Sequence, residues 1–498
     1  MKAVVSAGVC VAVALAVAGC AGAPSALGAE AEAGPAAPHV EVARSGVFNG
    51  VSVDYVAAVE ETVLENDDGA PAVSMVSTSY TAAGDAADPN RPVVFMFNGG
   101  PGAASVWLHM GAFGPRRVVL PADPADPVEP PFEVVDNEQT ILDVADLVII
   151  DPPGTGYSRI LPDGDPATVY SAYGDGQLTA DFIAAWLATH DRSGAPVYIL
   201  GESYGTIRTV IAADALGDLE APVELAGLIL IGQAVNIVET VQRPANAVGQ
   251  TANLPTLAAI AWRHGRVDRA GRSFEAFLDE VRDFAADEYL VALVQGHLAD
   301  ESVQSEIAAR LESYTGVSAD YFLDNQLRIS KLAFREELLR DEGLVLGYQD
   351  ARYIGAEGDP AGAVQNAYLE PAREHFEDWL GVSEDFEYRV RLEDGPNDWS
   401  YGGPTSPFNH FNFAQLLSDA MADNPDMKLM IASGYFDLTT TFGAAEHLAA
   451  TTDLPLERVE LNNYPGGHML YSDEESFLAL MSDIRRVIAG EIEGWRGP

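Results

Sequence analysis

The residues best placed to do chemistry are a serine, an aspartate and a histidine, in that order along a chain of 498 residues. Ser203 lies in Gly201-Glu202-Ser203-Tyr204-Gly205, after the apolar run Val197-Tyr198-Ile199-Leu200 and before a helical stretch, Thr206 to Leu216. G-x-S-x-G at a strand-to-helix turn is a nucleophile elbow, because small flanking residues permit a strained turn that exposes the serine oxygen. The plainer reading is a strand–turn–helix connection in which Ser203 caps the helix. A nucleophilic serine needs a base, and the base needs a carboxylate to orient it. The histidines after Ser203 are His264, His297, His375, His410, His447 and His468. His375 and His447 sit in helical patterns and read as surface residues. His468 instead closes Tyr464-Pro465-Gly466-Gly467-His468, a tight loop after the strand-like Val459 to Leu461. Asp437 closes Ser433-Gly434-Tyr435-Phe436-Asp437, just beyond the apolar Leu429-Met430-Ile431-Ala432. Catalytic groups collect at the carboxyl ends of strands in open parallel sheets. Ser203 is thus the expected nucleophile, His468 the base and Asp437 its orienting partner.

The charge on a tetrahedral intermediate needs backbone N–H donors. One should be Tyr204, the residue after the nucleophile, and the other should come from a glycine-rich turn after an early strand. Asn98-Gly99-Gly100-Pro101-Gly102, following Val93-Val94-Phe95-Met96-Phe97, supplies such a turn. It is a poor phosphate site, since there is no G-x-G-x-x-G and no P-loop lysine. Gly154-Thr155-Gly156 also follows a strand but lacks the third glycine of a dinucleotide motif. No H-E-x-x-H or Cys/His cluster points to a metal. The expected chemistry needs no cofactor.

These groups require a frame. Continuous apolar runs at Val93–Phe97, Leu147-Val148-Ile149-Ile150, Val197–Leu200, Leu228-Ile229-Leu230-Ile231 and Leu429–Ala432 fit strands buried on both faces of a mostly parallel sheet. Leu178, Phe182, Ala185 and Trp186 share one face of a helix that feeds the Val197 strand. Ahead of the sheet, Val51 to Val56, Glu61 to Leu64 and Val73 to Thr78 alternate, with Asn66-Asp67-Asp68-Gly69 as a hairpin signal, so an antiparallel β-meander is expected. Between Ala234 and Met427 helical periodicities dominate, as in Phe274, Phe277, Leu278, Val281 and Phe284, around Leu327 to Leu339, and from Asn366 to Trp379.

On these motifs the chain resembles the serine carboxypeptidase family, particularly its bacterial members, within the α/β-hydrolase superfamily. Asn98 to Gly102 matches N-G-G-P-G, and Asp151-Pro152-Pro153-Gly154-Thr155-Gly156-Tyr157-Ser158 matches D-x-P-x-G-T-G-[FY]-S. Gly201 to Gly205, Ser433 to Asp437 and Gly467-His468-Met469 match the three triad blocks, and the resemblance runs from about Arg91 to Ile484. It implies an α/β-hydrolase fold with a mostly parallel central sheet and flanking helices, and release of C-terminal residues from peptides, favoured at acidic pH. It also implies that Gly100 and Tyr204 form the oxyanion hole, while Asn98, Gly99 and Glu202 bind the substrate's terminal carboxylate. A glutamate facing a carboxylate must be protonated to donate a hydrogen bond, and burial and like charge raise its pKa. The alternative is that Glu202 only shapes the elbow. The family commonly adds a second glutamate in an E-L-G-P segment, but here Gly111-Ala112-Phe113-Gly114-Pro115 puts Ala112 there. Arg116, Arg117 and Arg208 are candidates to pair with the carboxylate instead, structural arginines being the alternative. The family's disulfides are also absent, since only Cys10 and Cys20 occur.

The sequence divides as an export signal (1–19), a flexible tether (20–45), a first part of the core with the meander (46–235), a mainly helical cap insertion (236–427) and a second part of the core (428–498). Lys2, a short apolar stretch and Val17-Ala18-Gly19-Cys20 describe an export signal, and resemble a lipobox that would make Cys20 the acylated first residue. An ordinary signal peptide is the alternative. The net charge of −47 opposes nucleic acid and anionic membrane surfaces. The expected partners are therefore peptides with a free C-terminus, and the membrane only through a lipid at Cys20. Ala112 keeps open an esterase or acyltransferase using the same triad. A catalytically silent peptide-binding lipoprotein is the third alternative, opposed by the intact motif order.

Overall fold

The computed structural model describes residues 37–392, 399–402 and 412–497. The export signal, Cys20 and His410 lie outside the described residues. The main strands are β1 (Val40–Phe48), β2 (Val51–Glu65), β3 (Pro71–Ala82), β4 (Val93–Phe97), β5 (Asp146–Ile150), β6 (Val197–Glu202), β7 (Leu225–Ile231), β8 (Lys428–Gly434) and β9 (Val459–Tyr464). They form one sheet in the order β1-β2-β3-β5-β4-β6-β7-β8-β9, with the short Arg159–Ile160 pairing onto β3. From β5 to β9 every pairing is parallel, and β1, β2 and β3 join as antiparallel strands. Each expected apolar run is a strand, and β4, β5 and β6 are buried at every residue. Parallel strands covered on both faces have no solvent side on which to place polar residues.

The meander differs in detail from its expectation. The segments expected at Val51 to Val56 and Glu61 to Leu64 are one 15-residue strand, β2, whose hairpin to β3 turns at Asn66 to Gly69. The Asn66 side-chain oxygen accepts the N–H groups of Asp68 and Ala70, which closes that turn. β1 corrects the tether boundary, because it begins at Val40 inside the stretch expected to be flexible up to residue 45. Val40 to Val47 alternate between half-buried and exposed and Phe48 alone is buried in the core, so backbone pairing with β2 orders most of the strand.

Helix α1 (Ala172–Thr189) starts where the Ser171 side chain accepts the Gly174 N–H, and it buries Phe182, Ile183, Trp186 and Leu187 against the sheet. The Trp186 ring meets Phe95 of β4 edge-on at 5.4 Å between centroids. Helix α2 (Gly205–Gly217) follows β6 and is buried along most of its length. Between β7 and β8 the described residues are mainly helical. Their apolar side chains divide between two cores. Leu254 to Ala351 build a cluster of their own with Phe436, Leu438 and Phe442, whereas Tyr353 to Val382 join the cluster on one face of the sheet. No described helix is long and apolar enough to cross a membrane.

His375 departs from its expected surface position. It is fully buried, it stacks on Trp379, and its Nε2 shares the Tyr80 hydroxyl with His109 at 3.0 and 2.6 Å. Burial pushes both imidazoles well below their ordinary pKa, so they are neutral structural groups.

Candidate active site

β6 ends at Glu202 and α2 begins at Gly205, leaving Ser203 and Tyr204 to make the turn between them. Ser203 has φ +60°, a left-handed conformation that costs a residue with a Cβ about 1–2 kcal/mol. The turn is held by the Ser203 N–H donating to Ile231 O at 2.9 Å and by the Thr206 hydroxyl donating to Ser203 O at 2.7 Å. Gly201 is required, since a Cβ there would stand 2.3 Å from Gly205 O. The reading of Ser203 as a helix cap does not hold. Tyr204 occupies the cap position of α2, and no side chain caps it.

The glycine turn after β4 presses directly on this elbow. A Cβ on Gly99 would lie 2.6 Å from both Tyr204 N and Glu202 O, so only glycine lets the two segments approach. Among the described residues neither the Gly100 N–H nor the Tyr204 N–H has an acceptor, which leaves both free for an oxyanion. Asn98 is fixed by its side-chain oxygen, which accepts the Leu108 N–H at 2.9 Å. Its amide group is thereby turned toward Glu202.

Asp437 and His468 come from the ends of β8 and β9. His468 Nδ1 and Asp437 Oδ2 are 2.7 Å apart, with Asp437 fully buried and His468 nearly so. Asp437 Oδ2 also accepts the Thr440 hydroxyl at 2.7 Å, and Oδ1 accepts the N–H groups of Thr439 and Thr440 at 2.6 and 3.1 Å. Burial alone would lower the His468 pKa. The Asp437 charge and hydrogen bond outweigh burial, and Glu202 adds to them, so the net shift is upward. Lys331, one of the chain's few lysines, donates its Nζ to Thr439 O at 2.7 Å, and burial pulls its pKa down to about 8 against the attraction of Asp437. Sequence reasoning missed Lys331, Thr439 and Thr440. The two threonines were detectable, because Asp-x-Thr-Thr is a turn in which a carboxylate takes the backbone N–H groups that follow it.

Glu202 is 4% exposed, and burial raises its carboxyl to about 7. His468, the Tyr471 hydroxyl and the Asn98 amide oppose the rise, and Asp437 adds to it. Neither Glu202 Oε2 nor the Tyr471 hydroxyl completes a hydrogen bond, so the two face each other without closing. Tyr471 was not foreseen. Its ring lies over Gly111, where a Cβ would stand 2.4 Å from it, beside the fully buried Ala112. A tyrosine therefore faces Glu202 beside Ala112, where the family pattern has a second glutamate.

One cavity of about 130 Å³ is lined by Asn98, Gly99, Gly100, Glu202, Ser203 and His468 together. Trp107, Gln349, Gln365 and Arg391 complete its wall from residues that no motif had singled out. Of the three arginines considered for the carboxylate, none lines it. Arg117 pairs with Glu474 at 2.7 Å, and Arg208 is buried behind the elbow, with Nε 2.7 Å from Asp175 and Nη1 donating to Asn98 O at 2.8 Å. Arg208→Met should thus cost about 3–5 kcal/mol of stability, because it strands Asp175 as a buried charge. Urea unfolding would measure the loss. An unchanged midpoint with a raised KM would instead make Arg208 a substrate ligand.

Residues 79–259 match the family model described as serine carboxypeptidase. No curated protein matches the chain. Among solved structures the chain is similar to Kex1(Δ)p, a prohormone-processing carboxypeptidase from Saccharomyces cerevisiae, at 14% identity and TM-score 0.52, over 88% of this chain and 91% of that one. Looser likenesses include a monoglyceride lipase from the same yeast (11% identity, TM-score 0.35, 87% and 96% covered) and the juvenile hormone epoxide hydrolase of the silkworm Bombyx mori (11%, 0.34, 88% and 79%). The resemblance read from the motifs is borne out by the family model, and the fold is that of an α/β-hydrolase. Match and architecture together support a serine hydrolase.

Proposed function

We propose that the protein is an exported serine carboxypeptidase that releases C-terminal residues from peptides through an acyl-enzyme on Ser203. His468 takes the serine proton, Asp437 orients His468, and the Gly100 and Tyr204 N–H groups hold the oxyanion. Asn98, Gly99 and Glu202 receive the terminal carboxylate. Water then resolves the acyl-enzyme. Cys20 carries the lipid that anchors the exported chain to the membrane.

The observation that carries this reading is Glu202. An ester or amide bond needs no acid beside the nucleophile, yet a buried carboxyl with an unpartnered oxygen lines the same cavity as Ser203. With a pKa of about 7, Glu202 is protonated below neutrality and can donate to a substrate carboxylate. Above about pH 7 it becomes an anion that repels that carboxylate. Peptide turnover should therefore fall about tenfold from its maximum by pH 8, where roughly a tenth of Glu202 is still protonated. Neutral esters should show no such fall, because only His468 must titrate for them. Glu202→Gln keeps a donor at every pH, so its peptide profile should follow the ester profile. Blocked dipeptides and blocked esters assayed from pH 4 to 8 provide the comparison. An unchanged peptide profile in Glu202→Gln would remove Glu202 from carboxylate binding.

Ala112, which leaves Glu202 without a carboxyl partner, favours a second reading, an esterase or acyltransferase on the same triad. Ester turnover with no cleavage of any peptide bearing a free C-terminus would select it.

A further inference from the structure

Arg391 is the one arginine that reaches the nucleophile's cavity among its described lining residues, and it is held there from several sides. Its backbone is joined to the turn that follows the oxyanion glycines. Ala104 N donates to Val390 O and Leu392 N to Gly102 O, both at 2.9 Å, and Ala103 and Arg391 form an antiparallel bridge. The guanidinium lies over the Trp107 ring at 5.0 Å, and its Nη2 donates to Gln365 Oε1 at 3.1 Å. Those two supports are themselves linked, since Trp107 Nε1 donates to Gln365 O at 3.0 Å. An aromatic face and an amide hold an arginine in place without neutralising it.

Among the described residues its charge is unanswered. Arg208, Arg117, Arg282 and Arg352 each pair with a carboxylate, but no carboxylate among the described residues lies within ion-pair distance of Arg391. Arg391 is an exposed residue whose partial desolvation lowers its pKa, with no charge among the described residues opposing the shift. Guanidinium still stays charged at any working pH. The other ionisable residues lining the cavity are Glu202 and His468. Below about pH 7 Glu202 is neutral, so among the described lining residues no anion offsets Arg391 in a protein of net charge −47.

We propose that Arg391 receives a carboxylate of the leaving C-terminal residue, a reading that rests on the carboxypeptidase function above. Asn98, Gly99 and protonated Glu202 offer this anion only neutral donors. A fixed guanidinium supplies a positive charge that neither Glu202 nor a second glutamate at position 112 could offer, and its fork can bind both oxygens. The carboxylate can be the α-carboxylate of any leaving residue or the side chain of a leaving Asp or Glu. The net charge of −47 repels acidic peptides at long range, and Arg391 opposes that repulsion locally, inside the cavity.

The test compares wild type, Arg391→Met and Arg391→Lys on blocked dipeptides ending in Leu, Gln or Glu. It adds a blocked ester whose leaving group is a 2-hydroxy acid with a free carboxylate, and the methyl ester of that same compound. For Arg391→Met, kcat/KM on carboxylate-bearing substrates should fall about 10- to 100-fold relative to the neutral ester, mainly through KM. Arg391→Lys should recover part of the loss, because it restores charge without the fork. An equal loss on all three dipeptides and on the hydroxy-acid ester assigns the α-carboxylate. A loss confined to the dipeptide ending in Glu assigns the side chain. A loss shared equally by the neutral ester, or no differential loss at all, overturns the proposal. If wild type cleaves esters and no peptide, the carboxypeptidase reading fails, and the two esters still decide the role of Arg391.

Discussion

Replacing Ser203 by alanine should lower kcat/KM on peptides and esters alike by about 10⁵-fold, with no loss of thermal stability. The size follows from the chemistry: without the hydroxyl there is no acyl-enzyme, and only the oxyanion donors and substrate binding remain to assist water. Stability should hold because the fold uses the serine backbone. The Ser203 N–H bond to Ile231 O and the Thr206 bond to Ser203 O are both kept in alanine. The left-handed φ of +60° is as strained for alanine as for serine, so that term cancels. Ser203→Gly should also be inactive, yet it should unfold at a higher temperature than Ser203→Ala, because glycine adopts this conformation without penalty. A fluorophosphonate should label wild type at Ser203 and leave both variants unlabelled. Residual turnover within tenfold of wild type would mean that the elbow does not carry the nucleophile.

The parts of the site that were legible in the sequence are those built from contiguous residues at strand ends. Gly201 to Gly205, Asn98 to Gly102 and Asp437 each stand at the end of a strand buried on both faces, and such strands appear as unbroken apolar runs, whereas His468 follows the partly buried edge strand β9 and was marked by its glycine turn. What was not legible depends on pairing across long stretches of chain. Arg391 reaches the cavity because its backbone bonds to the turn at Gly102 to Ala104, and nothing around residue 391 signals that partner. Tyr471 faces Glu202 only because the turn after His468 folds over Gly111. β1 was hidden for a different reason: it is an edge strand whose residues are at most half-buried over most of its length, so hydrophobic alternation is weak. His375 was misplaced because a histidine among charged residues in a helical pattern resembles a surface residue. Its burial is set by His109 and Tyr80, from the glycine-turn segment and β3.

The helices between β7 and β8 bear on specificity in the same way. Sequence periodicity suggested a single cap, but its two halves join different cores. The half that includes Gln365 packs with the sheet's own core cluster, so the cavity wall it supplies is tied to the rigid scaffold. Residues that choose substrates need such support, since an ångström of freedom costs much of the selectivity they provide.

Asp437→Asn carries the second large expected effect, about a 10⁴-fold fall in kcat, and the hydrogen bonds around the carboxylate say why. Oδ1 accepts two backbone N–H groups, from Thr439 and Thr440, while Oδ2 faces the Thr440 hydroxyl and His468 Nδ1. An asparagine has one oxygen and one NH2 to distribute over these two positions. Placing the NH2 at the Oδ1 position would set it against two N–H donors that cannot rotate away, so the oxygen must stay there. The NH2 is then forced toward His468 Nδ1, which must accept rather than donate. That moves the ring proton to Nε2, the nitrogen that has to take the proton from Ser203, and the base is blocked in the wrong tautomer. Because the substituted amide carries no charge, the upward pull on His468 is also lost, and burial then lowers its pKa. The residual activity of Asp437→Asn should therefore rise with pH to a plateau that begins at lower pH than in wild type, on the neutral ester as well as on peptides. Serine labelling by a fluorophosphonate should slow in parallel with turnover. A tenfold effect or less, with the wild-type pH dependence retained, would show that another group orients His468.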